Sequence, residues 1–196
     1  MKTGFVRLAL LGLSVWFLLL SCKRTTDNAV SLNQLDSLSP LNVRGQIYYY
    51  APELDTTTYQ AIGYCDCCSG NFIFLDDSIF LTVDHCESDA TYTKGTYKVE
   101  QNKVLLKYDS VLVERNFNYD IEADTSGTIL NKFSIVKGRI KEPKTVTLTR
   151  LHYTQNICFD TGIDEFSFAT LDKTTKLNEF IDQLKVDSIY DKLGLR

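Results

Sequence analysis

From residue 44 onward, the chain is a succession of short segments in which apolar and polar residues alternate. The alternation is cleanest where Val111, Val113 and Phe117 share one face with Arg115 and Tyr119. A period of two with one polar face is typical of antiparallel strands that cover a core on one side. The segments predicted to be strands are residues 44–51, 59–65, 71–76, 78–84, 94–100, 103–109, 111–120, 132–140 and 145–153.

Short polar turns separate these strands. One turn lies at residues 76–78 and another at Gln101 and Asn102, and aspartate and asparagine readily adopt the dihedral angles of tight turns. About nine strands joined by short turns favour a sheet that closes on itself, because closure removes exposed edges. We therefore predict a mainly β fold, an antiparallel meander closed into a barrel, with a two-sheet β-sandwich as the alternative.

The last part of the chain has a different periodicity. Its apolar residues recur with the spacing of one helix face, which predicts an amphipathic helix at about residues 174–186 with the stripe Leu177, Phe180, Ile181 and Leu184. Thr174 or Thr175 is suited to cap this helix, and Glu179 lies in its first turns. We expect the stripe to pack on an end or flank of the barrel, with a partner-binding helix as the alternative.

The chain begins with Lys2 and Arg7, followed by an apolar stretch at residues 8–20. This order is that of a secretory signal peptide, and the stretch is shorter than the ~17–25 residues of a membrane-spanning helix. It ends in LLSC, which resembles the lipobox of bacterial lipoproteins. In that family the cysteine is acylated and becomes the first residue of the mature chain, so the resemblance implies a lipid anchor on Cys22. The alternatives are an ordinary secretory signal and an uncleaved anchor helix.

The expected cleavage changes the charge balance. Removal of residues 1–21 would leave 19 basic against 25 acidic residues, an excess that argues against nucleic acid as a partner. Residues 22–43 are polar with scattered leucines and suit a flexible tether. The expected organisation is therefore a signal peptide at 1–21, a lipid-anchored tether at 22–43 and a single domain at 44–196.

The segment from Tyr64 to Asp109 resembles the barrel domain of envelope lipoproteins of the lipocalin-like and copper-resistance kind. The matching stretches are CDCCSGNFIFLDDSIFLTV and KGTYKVEQNKVLLKYD, in which cysteines precede a first hairpin and a Gly-Thr-Tyr strand leads into the next. The resemblance implies a lipocalin-like barrel and a metal-related function.

Cys65, Cys67 and Cys68 lie within four positions of one another. The signal peptide implies an oxidising compartment, where disulfides are the default use of paired cysteines. If the first hairpin has a two-residue loop, Cys86 lies opposite Ser69 and beside Cys68, and a slip of one residue brings Cys68 or Cys67 across from it. We therefore predict a disulfide between Cys86 and Cys68 or, with a one-residue slip, between Cys86 and Cys67.

The alternative use of this cluster is a metal site. Thiolate and imidazole ligands suit zinc or copper, and the candidate ligands are Cys65, Cys67, His85 and Cys86. Because His85 and Cys86 are adjacent, their side chains point to opposite faces of a strand, which favours the disulfide. We therefore expect no cofactor, with zinc or copper as the alternative.

No catalytic motif is visible in the sequence. It shows no Ser-His-Asp order, paired-carboxylate signature or Gly-rich phosphate loop, and its two histidines, His85 and His152, leave few candidates for a general base. We therefore expect a protein that is not an enzyme: a lipid-anchored envelope protein that binds or senses a small apolar ligand or a metal ion. The alternative is a structural lipoprotein that docks a protein partner. Lys23 and Arg24 follow the acylated cysteine, which by the rule of the lipoprotein family favours the outer membrane of a Gram-negative bacterium.

Replacing Cys22 by alanine should abolish lipid labelling and leave an unprocessed precursor, because the lipobox cysteine supplies the acylated thiol. Metabolic labelling with a fatty acid, followed by gel electrophoresis of the membrane fraction, measures both effects. A Cys65→Ala variant leaves the lipobox intact and is the control. Normal processing and membrane retention of the Cys22→Ala chain would contradict the anchor.

Overall fold

The structure is a computed structural model that describes residues 40–63, 67, 69–118, 132–151, 157–163 and 167–195. Within these ranges the strands are β1 Ile47–Ala51, β2 Glu53–Leu54, β3 Ala61–Ile62, β4 Ser69–Phe74, β5 Ile79–Cys86, β6 Asp89–Glu100, β7 Lys103–Phe117, β8 Phe133–Arg139, β9 Thr145–Leu151, β10 Cys158–Asp160 and β11 Phe168–Leu171. The helices are α1 Leu177–Val186 and α2 Ile189–Lys192. None of the helices in the described ranges is long and apolar enough to cross a membrane.

Eight of these strands form a closed ring. Their order is β6-β5-β4-β1-β11-β10-β9-β7, and a further pairing between β6 and β7 closes the circle. Every pairing in the ring is antiparallel. The structure therefore confirms the predicted antiparallel barrel. A ninth strand, β8, pairs with β7 outside the ring, and β2 and β3 form a separate ribbon.

The longest strand, β7, differs from the prediction, which divided it into two segments. β7 is one continuous strand that pairs with β6 along one edge. Along its other edge, residues 103–107 pair with β9, and residues 111–117 pair with β8. Its pairing with β6 shifts register between Thr93 and Gly95, which is the position of a β-bulge. The strands β10 and β11 were not predicted, because three or four residues are too few for a periodicity to show.

Aromatic side chains fill the centre of the barrel. Tyr48 contacts both Phe74 and Phe159 edge to face, with ring centroids 5.8 and 5.1 Å apart. Phe72 and Phe80 belong to the same buried cluster. The last residues of the predicted tether also contribute, since Leu41 and Val43 are buried in this inner cluster.

A second apolar cluster lies between the outer face of the barrel and the C-terminal helices. It joins Leu184, Ile189 and Leu193 to outward-facing residues of the strands, such as Leu81 and Val113. The sequence pattern predicted one core, whereas strands such as β5 bury both of their faces, one in each cluster. The predicted amphipathic stripe therefore packs on a flank of the barrel.

The predicted helix cap is wrong. Lys176 is the residue at the N-cap position, and its side chain makes no capping hydrogen bond. Asp172 stabilises the preceding turn instead, because its Oδ1 accepts hydrogen bonds from the backbone N–H of Thr174 (2.8 Å) and of Thr175 (3.2 Å). Partial burial opposes ionisation of Asp172, but these hydrogen bonds outweigh it and hold the pKa of the carboxyl below its ordinary value.

The packing of α1 on the barrel can be tested with two substitutions in one helix. Leu184 is 2% exposed and Val186 is 79% exposed. Replacing Leu184 by alanine should lower the free energy of unfolding by about 2–5 kcal/mol, because a large buried side chain is lost and a cavity remains. The matched change Val186→Ala should stay within about 0.5 kcal/mol of the wild type. Chemical denaturation of the purified full chain measures both, and equal effects would contradict the packing of the helix.

Candidate functional site

The interior of the barrel changes from apolar to polar along β5. Phe80, Thr82 and Asp84 alternate with residues that face the helices, and Phe80 lies in the inner cluster. Thr82 is 1% exposed, whereas Asp84 is exposed to solvent. The polar groups of β1 and β7 meet those of β5 here. We call the set Tyr50, Thr82, Asp84 and Tyr108 the polar mouth.

A hydrogen bond between two strands organises the polar mouth. The Tyr50 hydroxyl donates to Asp84 Oδ1 and lies 3.2 Å from the carbonyl oxygen of Val83. Gly70 pairs with both Tyr50 and Asp84 in the ladder. A Cβ atom at Gly70 would clash with the Val83 carbonyl and the Tyr50 hydroxyl, so a glycine is required for this approach.

The tyrosines of the polar mouth stay protonated at physiological pH. Burial raises the pKa of Tyr50, and the charge of Asp84 and its hydrogen bond raise it further. Burial and the charge of Asp84 also raise the pKa of Tyr108, while the nearby Thr82 hydroxyl lowers it by less. Both phenols are therefore neutral groups that can donate a hydrogen bond.

The Thr82 hydroxyl is the exceptional group of the polar mouth. It lies close enough to Tyr108 to affect its pKa, but it completes no hydrogen bond of good geometry, although its oxygen is buried. Buried hydroxyls almost always have a partner, and each exception requires an explanation. Phenols, a hydroxyl and a carboxylate together can bind a polar group that enters the barrel end.

A disulfide between Cys67 and Cys86 lies at the rim of the polar mouth. Cys86 follows Asp84 by two positions on β5, and Ser69 pairs with His85 at the last step of the β4–β5 ladder. The bridge therefore ties together the ends of the two strands that carry Gly70 and Asp84. This is the second of the two predicted pairings.

The preferred pairing of Cys68 with Cys86 is wrong, because Cys86 is bonded to Cys67. The turn at residues 76–78 has three residues instead of two, since Leu75 donates its N–H to the carbonyl oxygen of Ile79. Asp76 stabilises this longer turn by accepting hydrogen bonds from the N–H of Ser78 (2.7 Å) and of Ile79 (2.8 Å). The register is therefore shifted by one residue. β4 begins only at Ser69, so Cys67 is outside the strand alternation and can turn towards Cys86.

The structure separates the residues of the predicted metal site. His85 lies on the face of β5 opposite to Cys86, and its Nε2 is 3.2 Å from Asn71 Oδ1. Cys67 and Cys86 are joined to each other, so neither is available as a thiolate ligand while the bridge is intact. In the described ranges no group of three or more His, Cys, Asp or Glu side chains could hold a metal ion.

The other candidate residues are Cys22, Cys65, Cys68 and His152, which lie outside the described residues. Cys158 has a free thiol that is fully buried, and burial raises its pKa to about 12, so it stays protonated. Thr82, Asp84 and Tyr108 were not among the predicted site residues. The stretch IFLTVD does carry a signal for Thr82 and Asp84. These polar residues follow Phe80 at a spacing of two, so they point inward like Phe80.

Two cavities lined by described residues lie on the outer surface. The larger one, here called the outer cleft, has a volume of about 750 Å³ and is lined by Asn118, Lys132, Phe133, Ser134, Ile135, Val186, Asp187, Ser188 and Lys192. The Arg115 guanidinium lies 4.1 Å from the centre of the Phe133 ring and 3.9 Å from Asp187, and so connects β7, β8 and the end of α1. The smaller cavity, of about 430 Å³, is lined by Tyr49, Gln60, Leu171, Asp172, Lys173 and Thr174.

The chain matches no protein-family model and no curated protein. Among solved structures it is similar to the crystal structure of a streptavidin-like protein from Bacteroides eggerthii. The identity is 12%, the similarity covers 76% of this chain and 97% of that chain, and the TM-score is 0.49. No functional residue is transferred from this similarity.

Removing the disulfide should destabilise the protein. The bridge joins residues 19 positions apart, and a loop of that size is worth roughly 3 kcal/mol in chain entropy. The double variant Cys67→Ser/Cys86→Ser should lose about this much free energy of unfolding in chemical denaturation. Reductant should bring the wild type to the same midpoint. Peptide mapping of the non-reduced full chain identifies the partners, and a Cys68–Cys86 peptide would contradict the pairing.

Proposed function

We propose that this chain is a non-catalytic, lipid-anchored protein of the bacterial cell envelope whose barrel binds a small ligand at the polar mouth. The lipobox-like LLSC and the preceding apolar stretch support the anchor on Cys22. Two or more acyl chains hold a protein on a bilayer more firmly than one, so the barrel would stay at the membrane surface. Lys23 and Arg24 favour the outer membrane.

The observation that carries the binding proposal is the buried Thr82 hydroxyl, whose contact with Tyr108 lacks the geometry of a good hydrogen bond. Leaving such a group unsatisfied costs about 1–3 kcal/mol, and a ligand that supplies the partner would recover that cost. Tyr50 and Asp84 are next to it and are already oriented by their own hydrogen bond. The mouth is thus prepared for a polar group before any ligand arrives.

The geometry also limits the kind of ligand. Phe72, Phe74 and Phe80 are fully buried in the inner cluster, so the centre of the barrel is occupied by side chains. The ligand would therefore lie at the end of the barrel, with an apolar part against the aromatic rings and a polar group towards Thr82. Because Asp84 accepts hydrogen bonds, that polar group should be a neutral or cationic donor.

A partner-docking protein is the second candidate function, and one observation favours it. The strand β8 lies outside the closed ring and pairs with β7 alone among the described strands. This surface is distinct from the polar mouth, so the two functions do not exclude each other. A zinc or copper site in the cysteine cluster would first require reduction of the Cys67–Cys86 bridge.

The substitution Thr82→Val tests the ligand site, because it removes the hydroxyl and keeps the shape. In the ligand-free chain it should raise the free energy of unfolding by about 1 kcal/mol, since an unsatisfied buried group disappears. Native mass spectrometry of the full chain, extracted from membranes in mild detergent, should show a bound small molecule in the wild type and much less in the variant.

The matched control is Thr147→Val, which changes a half-buried threonine on β9 outside the polar mouth. It should retain the bound mass of the wild type. Tyr50→Phe should reduce the bound fraction, because the hydrogen bond to Asp84 is lost. A wild-type chain without bound mass, or a Thr82→Val variant that keeps it, would overturn the proposal.

A further inference from the structure

The strand β8 has one open edge. It pairs with β7 from Phe117↔Phe133 to Val111↔Arg139, and the described part of the chain places no strand on its other side. A closed barrel has no free edges, so within the nine-stranded sheet of the described residues β8 is the strand that can accept another strand.

The hydrogen-bond pattern shows which backbone groups face the open edge. The N–H of Asn118 donates to the carbonyl oxygen of Lys132 (2.9 Å), and the N–H of Ile140 donates to that of Ser110 (2.7 Å). In an antiparallel ladder, residues of one strand point their backbone groups alternately towards and away from the partner. The even-numbered residues of β8 therefore face β7. The residues that direct their N–H and C=O outward are Phe133, Ile135, Lys137 and Arg139.

The side chains around this edge are basic. Lys132, Lys137, Arg139 and Lys141 are exposed, and none of them has an ion-pair partner among the described residues. The whole chain has a net charge of -4, so this strand is positive within an acidic protein. Pairing of β8 with a second copy would bring these charges together, which is unfavourable. An acidic strand would instead be attracted.

The outer cleft lies beside the same edge. Phe133 and Ile135 line it together with Val186, which is 79% exposed. Residues that alternate along a strand share one face, so Phe133 and Ile135 lie on the same side of β8 as Lys137 and Arg139. A strand added to the edge would therefore place two neighbouring side chains in the cleft and two opposite the basic residues.

We propose that the open edge of β8 binds an extended acidic segment of another protein as an additional strand. The segment pairs antiparallel, with carboxylates two residues apart opposite Arg139 and Lys137, followed at the same spacing by two apolar residues opposite Ile135 and Phe133. Backbone hydrogen bonds supply the affinity in this mode, and the alternating side chains supply the specificity. The site is independent of the polar mouth.

A synthetic peptide in which threonine alternates with two glutamates and then with two valines tests the proposal. Its binding to the full chain, measured by fluorescence anisotropy, should weaken as salt is added, because exposed charges are screened. The same peptide with N-methylated backbone at the glutamates and valines cannot form the strand hydrogen bonds and should not bind.

Two variants of the protein address the two parts of the interaction. Ile135→Pro removes an N–H that faces the open edge and is not used in the β7 ladder, and proline is tolerated at such positions. It should weaken peptide binding by at least about tenfold, more than Ile135→Ala, which keeps the N–H. Lys137→Glu/Arg139→Glu should weaken it similarly, whereas the charge-matched Lys98→Glu/Lys103→Glu should not.

Circular dichroism of each variant confirms that the barrel is retained. The proposal is overturned if the peptide does not bind, or if Ile135→Pro and Lys137→Glu/Arg139→Glu both bind it like the wild type. It is also overturned if sedimentation shows a wild-type dimer that Ile135→Pro dissociates, since the edge would then be an interface between copies of this chain.

Discussion

The pairing of β6 with β7 closes the barrel, and the remaining features of the structure depend on this closure. On the N-terminal side of the register shift, β7 lies between β6 and β9 and completes the ring. After the shift, β7 leaves β9 and takes β8 as its neighbour. A bulge increases the local bend and twist of a strand, which allows one strand to serve both sheets. The inside of the barrel and the open edge of β8 are thus set by the same irregularity.

Closure also explains why some strands are apolar on both faces. The inner face of β5 packs Phe80 among the aromatic residues of the barrel, and its outer face packs Leu81 and Val83 against the C-terminal helices. A strand that is buried on both sides shows a continuous apolar run instead of an alternation. The helices consequently cover the part of the barrel wall where Leu81 and Val83 face outward.

At the polar mouth, a buried hydroxyl, two neutral phenols and a carboxylate come together from three strands. The Cys67–Cys86 bridge lies next to this group and holds the ends of β4 and β5 in one register. A one-residue slip would direct Asp84 away from Tyr50, because successive side chains of a strand point to opposite faces. The disulfide therefore preserves the geometry of the candidate site as well as the stability of the hairpin.

The sequence alone predicts an antiparallel barrel, its main hairpins, an amphipathic helix and a disulfide that involves Cys86. These follow from periodicities and turn residues that act over a few positions. Tertiary structure decided the register of the first hairpin, where the side chain of Asp76 favours a three-residue turn. It also decided that Cys67, which precedes the first residue of β4, bonds to Cys86. It also decided that Val113 faces the helices and that Tyr50, Thr82 and Tyr108 meet at one barrel end. Such contacts join residues far apart in the chain, so they depend on the register in which the strands of the ring pair, and no local pattern encodes that register.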